Sequence, residues 1–144
     1  MSGVRFPQRP HMELQVGVKV LLKNAEGKYL LLRRSAQKYP EAARQWDIVG
    51  GRIEVGSDLL ENLKREVKEE TQLEIRDTPK LVAAQDIMPK DKHFVRLTYI
   101  GETTGTPILD EEHEEFGWFS LEEVRTLANL DKYVKELLDK GVIS

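Results

Sequence analysis

The sequence predicts a single domain of the α+β class, built around a mixed β-sheet. Its 144 residues are close to the most common domain length. Segments with alternating apolar residues, typical of strands, precede and follow a segment with helical spacing, and two further helical patterns close the chain. No repeat or linker interrupts this order, so the elements are expected to pack as one unit.

The N-terminal third predicts a flexible arm followed by a β-hairpin. Residues 1–12 contain prolines and no periodicity, so we expect an arm there and the domain at 13–144. Alternating apolar residues predict a strand from Leu14 to Leu22. The turn residues Asn24–Gly27 then connect it to a second strand at Lys28–Arg34.

A short strand and a helix follow after a polar loop. The strand is expected at Trp46–Val49 and ends at Gly50 and Gly51. Ser57 is the expected cap of the helix, which ends near Thr71. The remaining elements are strands at Leu81–Met88 and Phe94–Ile100 around a turn at Pro89–Lys92, a strand at Phe116–Phe119, a helix opened by the capping box Ser120–Glu123, and a last helix that stops at Gly141.

Composition excludes several classes of function. The 22 basic and 25 acidic residues give a net charge of −3, which does not favour a partner such as duplex nucleic acid. No cysteine is present, so a disulfide framework, a thiolate metal site and a cysteine nucleophile are excluded. No apolar stretch is long enough to span a bilayer and no signal core is visible, so we expect a cytoplasmic protein without a membrane partner.

The predicted central helix carries a cluster of carboxylates. Glu66 and Glu70 lie one turn apart on the same face, and Glu69 lies beside them. Clustered carboxylates repel one another, and a hard cation such as Mg²⁺ or Mn²⁺ relieves that repulsion. Arg65 is placed to hold one of them by a bidentate hydrogen bond. Taken alone, however, these residues favour the interpretation as a solvated helix face.

The spacing around this helix decides between the two interpretations. Gly51 is followed after five residues by Ser57, and after seven more by the segment Arg65–Leu73. The arrangement resembles the Nudix box, which reads Gly, five residues, Glu, seven residues, then Arg-Glu-apolar-x-Glu-Glu-x-Gly-apolar. It departs from that pattern at Ser57, where the family usually has Glu, and at Gln72, where it usually has Gly. The resemblance implies the α/β/α sandwich of the Nudix hydrolases.

The resemblance also implies a metal-dependent hydrolysis. Nudix enzymes break a phosphoanhydride bond in a substrate that contains a nucleoside diphosphate linked to another group. By position, the ligands of Mg²⁺, or of Mn²⁺, are expected to be the carboxylates of Glu66, Glu69 and Glu70 together with the carbonyl of Gly50. Arg65 is expected to orient a carboxylate. The proton acceptor is then Glu66 or a glutamate of a distal loop.

The distal loop and several basic or aromatic residues complete the expected site. Glu112 and Glu115 are the candidate distal glutamates, with an ordinary acidic loop as the alternative, and His113 is expected at the surface. The candidate substrate-binding residues are Arg33, Arg34, Arg52 and Trp46, with Phe94 and Tyr99 as further aromatic side chains. Because neighbouring residues of a strand face opposite sides, at most one of Arg33 and Arg34 is expected in the cleft.

Three interpretations of the function remain open at this stage. A Trp shortly before the Gly-Gly pair is similar to MutT-like members, which convert a nucleoside triphosphate, unmodified or oxidised, to a monophosphate and pyrophosphate. Pro89, sixteen residues after Leu73, instead resembles the pyrophosphatases of ADP-ribose and other nucleotide sugars. The departures at Ser57 and Gln72 suggest a catalytically weak nucleotide sensor. In each case the partner is a small nucleotide, and a homodimer is compatible with the family.

Overall fold

The structure, a computed structural model, describes residues 13–38, 40 and 44–143. The predicted arm at 1–12 therefore lies outside the described residues. The strands are β1 (Glu13–Lys23), β2 (Tyr29–Arg34), β3 (Trp46–Asp47), β4 (Val49–Arg52), β5 (Arg76–Ile87), β6 (Lys92–Glu102) and β7 (His113–Phe119), and the helices are α1 (Leu59–Thr71), α2 (Leu121–Thr126) and α3 (Lys132–Asp139). In this part of the chain, no helix is long and apolar enough to cross a membrane.

The described strands form one mixed sheet with β1 at its centre. The order is β3-β2-β1-β6-β5, and β4 pairs with β1 while β7 pairs with β2. β1 and β6 are parallel along their whole length, from Glu13↔Lys92 to Lys23↔Glu102. On its other edge β1 pairs antiparallel with β4 near its middle and with β2 only at its end. The turn at Asn24 is the predicted one, because its side-chain oxygen accepts hydrogen bonds from the amides of Glu26 and Lys28.

Apolar residues on the two faces of the sheet form two cores. On one face, Leu63 and Val67 of α1 pack against Val18, Val20 and Leu22 of β1. On the other face, residues of α2 and α3 pack against Leu21, Tyr29 and Leu31 among others. The alternation along β1 and β2 therefore supplies side chains to both cores. This arrangement is the α/β/α sandwich that the sequence predicts.

Several predicted strands have different bounds in the structure, and β7, for example, begins at His113 rather than Phe116. The single strand expected at Trp46–Val49 is divided at Ile48, because Trp46–Asp47 pairs with β2 whereas Val49–Arg52 pairs with β1. β5 begins at Arg76 rather than Leu81, and its pairing with β6 contains two register shifts. Its first residues are polar and exposed, so no alternation marks them as a strand.

The capping box predicted for α2 is present, and α3 has a cap that the sequence analysis did not name. The Ser120 hydroxyl accepts from the amide of Glu123, while the Glu123 carboxylate accepts from the amide of Ser120, which is the predicted capping box. Asp131 caps α3 by accepting from the amides of Tyr133 and Val134. Beyond α3, Gly141 has a positive φ of 71°, as expected for a residue that terminates a helix.

The two ends of α1 differ in how well the sequence predicts them. Its cap is Asp58 rather than Ser57, because the Asp58 carboxylate accepts from the Glu61 amide at 2.8 Å. The helix ends at Thr71, as predicted, and Gln72 follows in the left-handed conformation with φ 61°. The expectation that Gln72 occupies a conformation more easily adopted by glycine is thus confirmed.

Replacing Gln72 by Gly is expected to stabilise the fold. Glycine avoids the Cβ clash of the left-handed conformation but loses more chain entropy on folding, so we expect the free energy of unfolding to rise by about 0.5–1 kcal/mol. Urea denaturation measures this change. The matched control is Gln72→Ala, which keeps a Cβ and should give no gain. Equal stability of the two variants would contradict the explanation.

Candidate active site

Two consecutive glycines allow α1 to pack directly on β4. A Cβ at Gly50, which has φ 139°, would lie 2.1 Å from the carbonyl oxygen of Val18. A Cβ at Gly51 would lie 2.8 Å from a carboxylate oxygen of Glu66. A side chain at Gly50 would therefore clash with the backbone of β1, and one at Gly51 would displace the Glu66 carboxylate. The Glu66 carboxylate is therefore held against the backbone of β4.

Asn62 connects the loop after β4 to the same helix. Its side chain is fully buried, its Oδ1 accepts from the Glu54 amide at 2.9 Å, and its Nδ2 donates to the Arg52 carbonyl at 3.1 Å. The loop thereby keeps a fixed position relative to α1. The sequence analysis missed this residue. The available signal was a polar residue next to Leu63 on the buried face of a helix, where a side chain needs internal partners.

Arg65 binds the carboxylates around it. Its Nη1 donates to both oxygens of Glu69 at 3.0 and 3.1 Å. Its Nη2 lies 3.2 Å from Glu66 and 3.5 Å from Glu54. The hydrogen bond expected between Arg65 and a carboxylate is therefore present, and one guanidinium organises three acidic groups.

Glu70 differs from the other acidic residues because it is buried. Burial raises the pKa of Glu70 to about 9, with Lys19 opposing this effect and the hydrogen bond and charge of Glu66 adding to it. The carboxyl group therefore carries a proton at neutral pH in the protein described here.

His113 lies beside Glu70, contrary to the expectation that it is a surface residue. Its side chain is 11% exposed, its Nε2 is 3.8 Å from Glu70, and its Nδ1 is 2.7 Å from Asp110. The reason is the loop before β7, which is attached to the end of α1 by a hydrogen bond from the Ile108 amide to the Thr71 carbonyl. A hydrogen bond between residues so distant in sequence cannot be predicted from a local sequence pattern.

A cleft of about 740 Å³ collects most of the expected site residues. One wall is acidic and comes from α1 and the loop before β7; the other carries basic and aromatic side chains from β1, β2, β4 and β6. The expected residues that line the cleft are Arg34, Gly50, Arg52, Arg65, Glu66, Glu69, Glu70 and Glu112, and further lining residues include Lys19, Glu54, Phe94, Arg96 and Asp110.

Three expected site residues do not line this cleft. Trp46 is 7% exposed and packs edge-on against Phe119 at 5.3 Å in the second core. Arg33 lies over the Trp46 ring and forms an ion pair with Glu115 at 3.3 Å. Because side chains alternate along β2, Arg34 reaches the cleft while Arg33 and its partner do not. This agrees with the expectation that at most one of the two arginines faces it.

Behind the cleft lies a network of buried charges that the sequence analysis did not detect. Asp47 forms ion pairs with Lys19 at 3.2 Å and with Arg96 at 3.0 Å, and Arg96 also pairs with Asp131 at 3.2 Å. Burial alone would raise the pKa of Asp47. The charges of Arg96 and Lys19 oppose this effect and hold that pKa well below its usual range. Burial, and then the charge of Asp47, raise the pKa of Asp131.

The donor groups of the cleft suit a hard divalent cation. The carboxylates of Glu66, Glu69 and Glu70 and the backbone of Gly50 line one cavity, and all of these donors are oxygen atoms. Among the residues that the structure describes, however, no three histidine or acidic side chains are gathered closely enough to hold a metal ion as they stand. Arg65 pairs with Glu66 and Glu69, and Glu66 is also hydrogen-bonded to Glu70.

Comparison with known proteins identifies the family. The family model described as the NUDIX domain matches residues 13–140. The chain belongs to the Nudix family. It is a Nudix hydrolase with a MutT-like fold, as the resemblance of its box implied. A comparison with curated proteins gave no match.

Solved structures of similar proteins cover nearly the whole chain. The MutT protein from Methanosarcina mazei Go1 is 28% identical, with a TM-score of 0.78 over 88% of this chain and 91% of that one. The E. coli ORF135 protein is 25% identical, with a TM-score of 0.74 over 92% of this chain and 91% of that one. A C. elegans Ap4A hydrolase shares the fold, with 20% identity and a TM-score of 0.69 over 88% of this chain and 94% of that one.

The two departures from the Nudix box lie outside the carboxylate cluster. Ser57 does not line the cleft, and its hydroxyl donates only to the Asp58 carbonyl, at 3.4 Å. Glu54 does line it and pairs with Arg65, so an acidic group is present near this end of α1. Gln72 is the residue after α1 and changes the helix end rather than the carboxylates.

The stability of the metal-free Nudix hydrolase should depend on Glu70. The pKa of Glu70 is about 9 in the folded protein, against 4.5 for an ordinary glutamate. Protonation of Glu70 therefore contributes its full stabilisation of the folded state below pH 4.5. This contribution is lost as pH rises through the folded pKa. We expect Glu70→Gln to match the wild type near pH 5 and to exceed its free energy of unfolding by about 1–3 kcal/mol at pH 8.

Urea denaturation in EDTA at the two pH values measures this difference. The matched control is Glu69→Gln, whose side chain is 57% exposed and should show no such growth with pH. A Glu70→Gln advantage that is the same at both pH values would show that Glu70 is not protonated in the folded state.

Proposed function

We propose that this Nudix hydrolase uses Mg²⁺ to hydrolyse a phosphoanhydride bond in a small nucleotide, foremost a nucleoside triphosphate, giving a monophosphate and pyrophosphate. The observation that carries the proposal is a cleft with clustered carboxylates on one wall and Arg34 and Arg52 on the other. Such a cleft provides for both a cation and a polyphosphate chain. Similarity to the Methanosarcina mazei MutT protein supports the MutT-like class over the nucleotide-sugar class.

Glu66, Glu69, Glu70 and the Gly50 carbonyl would hold the metal, with Mn²⁺ as a possible substitute. Bound Mg²⁺ supplies charge neutralisation of the diphosphate and lowers the pKa of a coordinated water. Arg65 is the residue that keeps Glu66 and Glu69 in place. Glu70 must lose its proton to act as a ligand. Because burial favours the protonated form, binding of the cation is coupled to release of that proton.

The basic wall is proposed to bind the substrate. Arg34 and Arg52 would contact phosphate oxygens, as guanidinium groups do. The Arg52 guanidinium also lies 5.0 Å from the centre of the Phe94 ring. A planar base can stack against Phe94 beside this cation. We therefore assign the aromatic contact to Phe94, since Trp46 is in the core.

Glu112 is proposed as the distal glutamate that accepts the proton. It lines the cleft, whereas Glu115 is paired with Arg33 away from it. We expect Glu112→Gln to lower kcat by about 10- to 100-fold, because general base catalysis contributes on that scale or more. Glu115→Gln, the same change three residues further along the chain, should keep wild-type kcat. Steady-state kinetics on the preferred substrate distinguishes them, and the reverse ranking would refute the assignment.

The metal cluster is tested by product formation over a panel of substrates. The panel contains nucleoside triphosphates, 8-oxo-dGTP, ADP-ribose, other nucleotide sugars and dinucleoside polyphosphates, each with Mg²⁺ and with EDTA. We expect turnover that requires Mg²⁺ and falls by at least about 100-fold in a Glu69→Gln, Glu70→Gln double variant. The matched control is Glu136→Gln with Asp139→Asn, two exposed acidic residues of α3 that lie outside the cleft.

The same panel decides between the remaining functions. A preference for ADP-ribose or another nucleotide sugar would move the protein to the second substrate class. Two observations favour a nucleotide sensor as the alternative to an enzyme. Ser57 lies outside the cleft, and in the part of the chain that the structure describes no three acidic or histidine side chains are gathered closely enough to hold a metal ion. Nucleotide binding in calorimetry without turnover on any substrate would support the sensor and reject the proposed hydrolysis.

A further inference from the structure

Lys19 is a charged residue between two buried valines, Val18 and Val20, in the middle of β1. It lies on β1 directly opposite Gly50 in the ladder between β1 and β4. Its side chain is 14% exposed, and its ammonium lies 3.2 Å from Asp47 Oδ2 and 3.2 Å from the carbonyl oxygen of Ile48. Both acceptors belong to the segment that leads from β3 into Gly50. The ammonium therefore ties that segment to β1.

The same ammonium faces the acidic wall of the active site. Lys19 lines the cleft and also a deeper recess of about 60 Å³. The recess is shared with Gly50, Glu70, Glu112 and Arg34. The charge of Lys19 opposes the effect of burial on Glu70. An ammonium has three N–H donors, and two are directed to Asp47 and Ile48, so one is left for the groups of the recess.

We propose that Lys19 is a positioning residue of the active site. It holds the Ile48–Gly51 segment in register and supplies the fixed positive charge that Glu70 faces. The inference rests on the proposed function, because Glu70 and the Gly50 carbonyl are the proposed metal ligands. Its action is on the geometry of those groups rather than on the substrate, so its loss should lower kcat and leave KM nearly unchanged.

The absence of cysteine from the chain permits a test that separates charge from shape. Lys19→Cys introduces a unique thiol, which is alkylated in urea before refolding. Its thiolate displaces bromide from 2-bromoethylamine to give thialysine, or from 1-bromopropane to give a neutral side chain of the same length. Wild-type protein carried through each treatment controls for other reactions. Lys135→Cys, on the exposed face of α3, is the matched control for the alkylation.

We expect the neutral form to lose at least about 10-fold in kcat with KM within about 3-fold, and the thialysine form to return within about 3-fold of the wild type. In ¹⁵N–¹H spectra the amide signals of Gly50 and Gly51 should shift in the neutral form and return in the thialysine form. Neither alkylated form of Lys135→Cys should show these changes.

Three outcomes would overturn the proposal. Wild-type kcat and unchanged glycine signals in the neutral form would show that Lys19 positions nothing. A raised KM at constant kcat would make Lys19 a phosphate contact. Failure of the neutral form to refold would show that the charge of Lys19 is required for folding rather than for positioning the site. If the wild type turns over no substrate, the proposed function fails separately, and the glycine signals alone decide the role of Lys19.

Discussion

The close contact between α1 and β4 at Gly50 and Gly51 determines where everything else in the active site lies. Without a Cβ at Gly51 the Glu66 carboxylate of α1 lies close to β4, and without a Cβ at Gly50 the same strand lies close to the backbone of β1. Leu63 and Val67 then fill the core beneath, and the same face of the helix turns Glu70 inward. Asn62 fixes the intervening loop to the helix. Packing and chemistry therefore share a single constraint, because a shift of α1 would move both the core leucine and the carboxylates.

That constraint has an electrostatic consequence. Acidic groups brought so close to one another and to the backbone need compensating charge, and the structure provides it on both sides. Arg65 binds Glu66 and Glu69 at the exposed side, and Lys19 faces Glu70 at the buried side. Lys19 is itself paired with Asp47, which is paired with Arg96. Lys19, which lines the cleft, is thus one end of a chain of ion pairs that continues through Asp47 and Arg96 to Asp131, the cap of α3.

Sequence patterns predicted the parts of this architecture that depend on local spacing. The alternation in β1, the turn at Asn24, the capping box at Ser120 and the left-handed residue at Gln72 are each determined by a few consecutive residues. The box spacing predicted that Glu66, Glu69 and Glu70 share one cleft. Contacts between distant segments could not be predicted in this way. His113 is brought inward by a loop tethered to α1, and Trp46 is buried because the chain changes partner strand at Ile48.

The departures from the Nudix box illustrate why a motif and a site are different things. A motif treats Ser57, Gln72 and Glu66 as equivalent positions, yet in the structure they differ in how they contribute to the site. Gln72 occupies a backbone conformation that costs free energy wherever the residue is not glycine, and this cost falls on the end of the helix. Ser57 precedes the cap and lies outside the cleft, where Glu54 supplies an acidic group instead. Neither residue contacts the carboxylates, whereas Arg65 pairs with Glu66 and Glu69 and Gly51 leaves room for the Glu66 carboxylate. Lys19 of β1 lines the same cleft. The interactions that organise the site thus come from several elements of the fold, and one of them, β1, lies outside the motif.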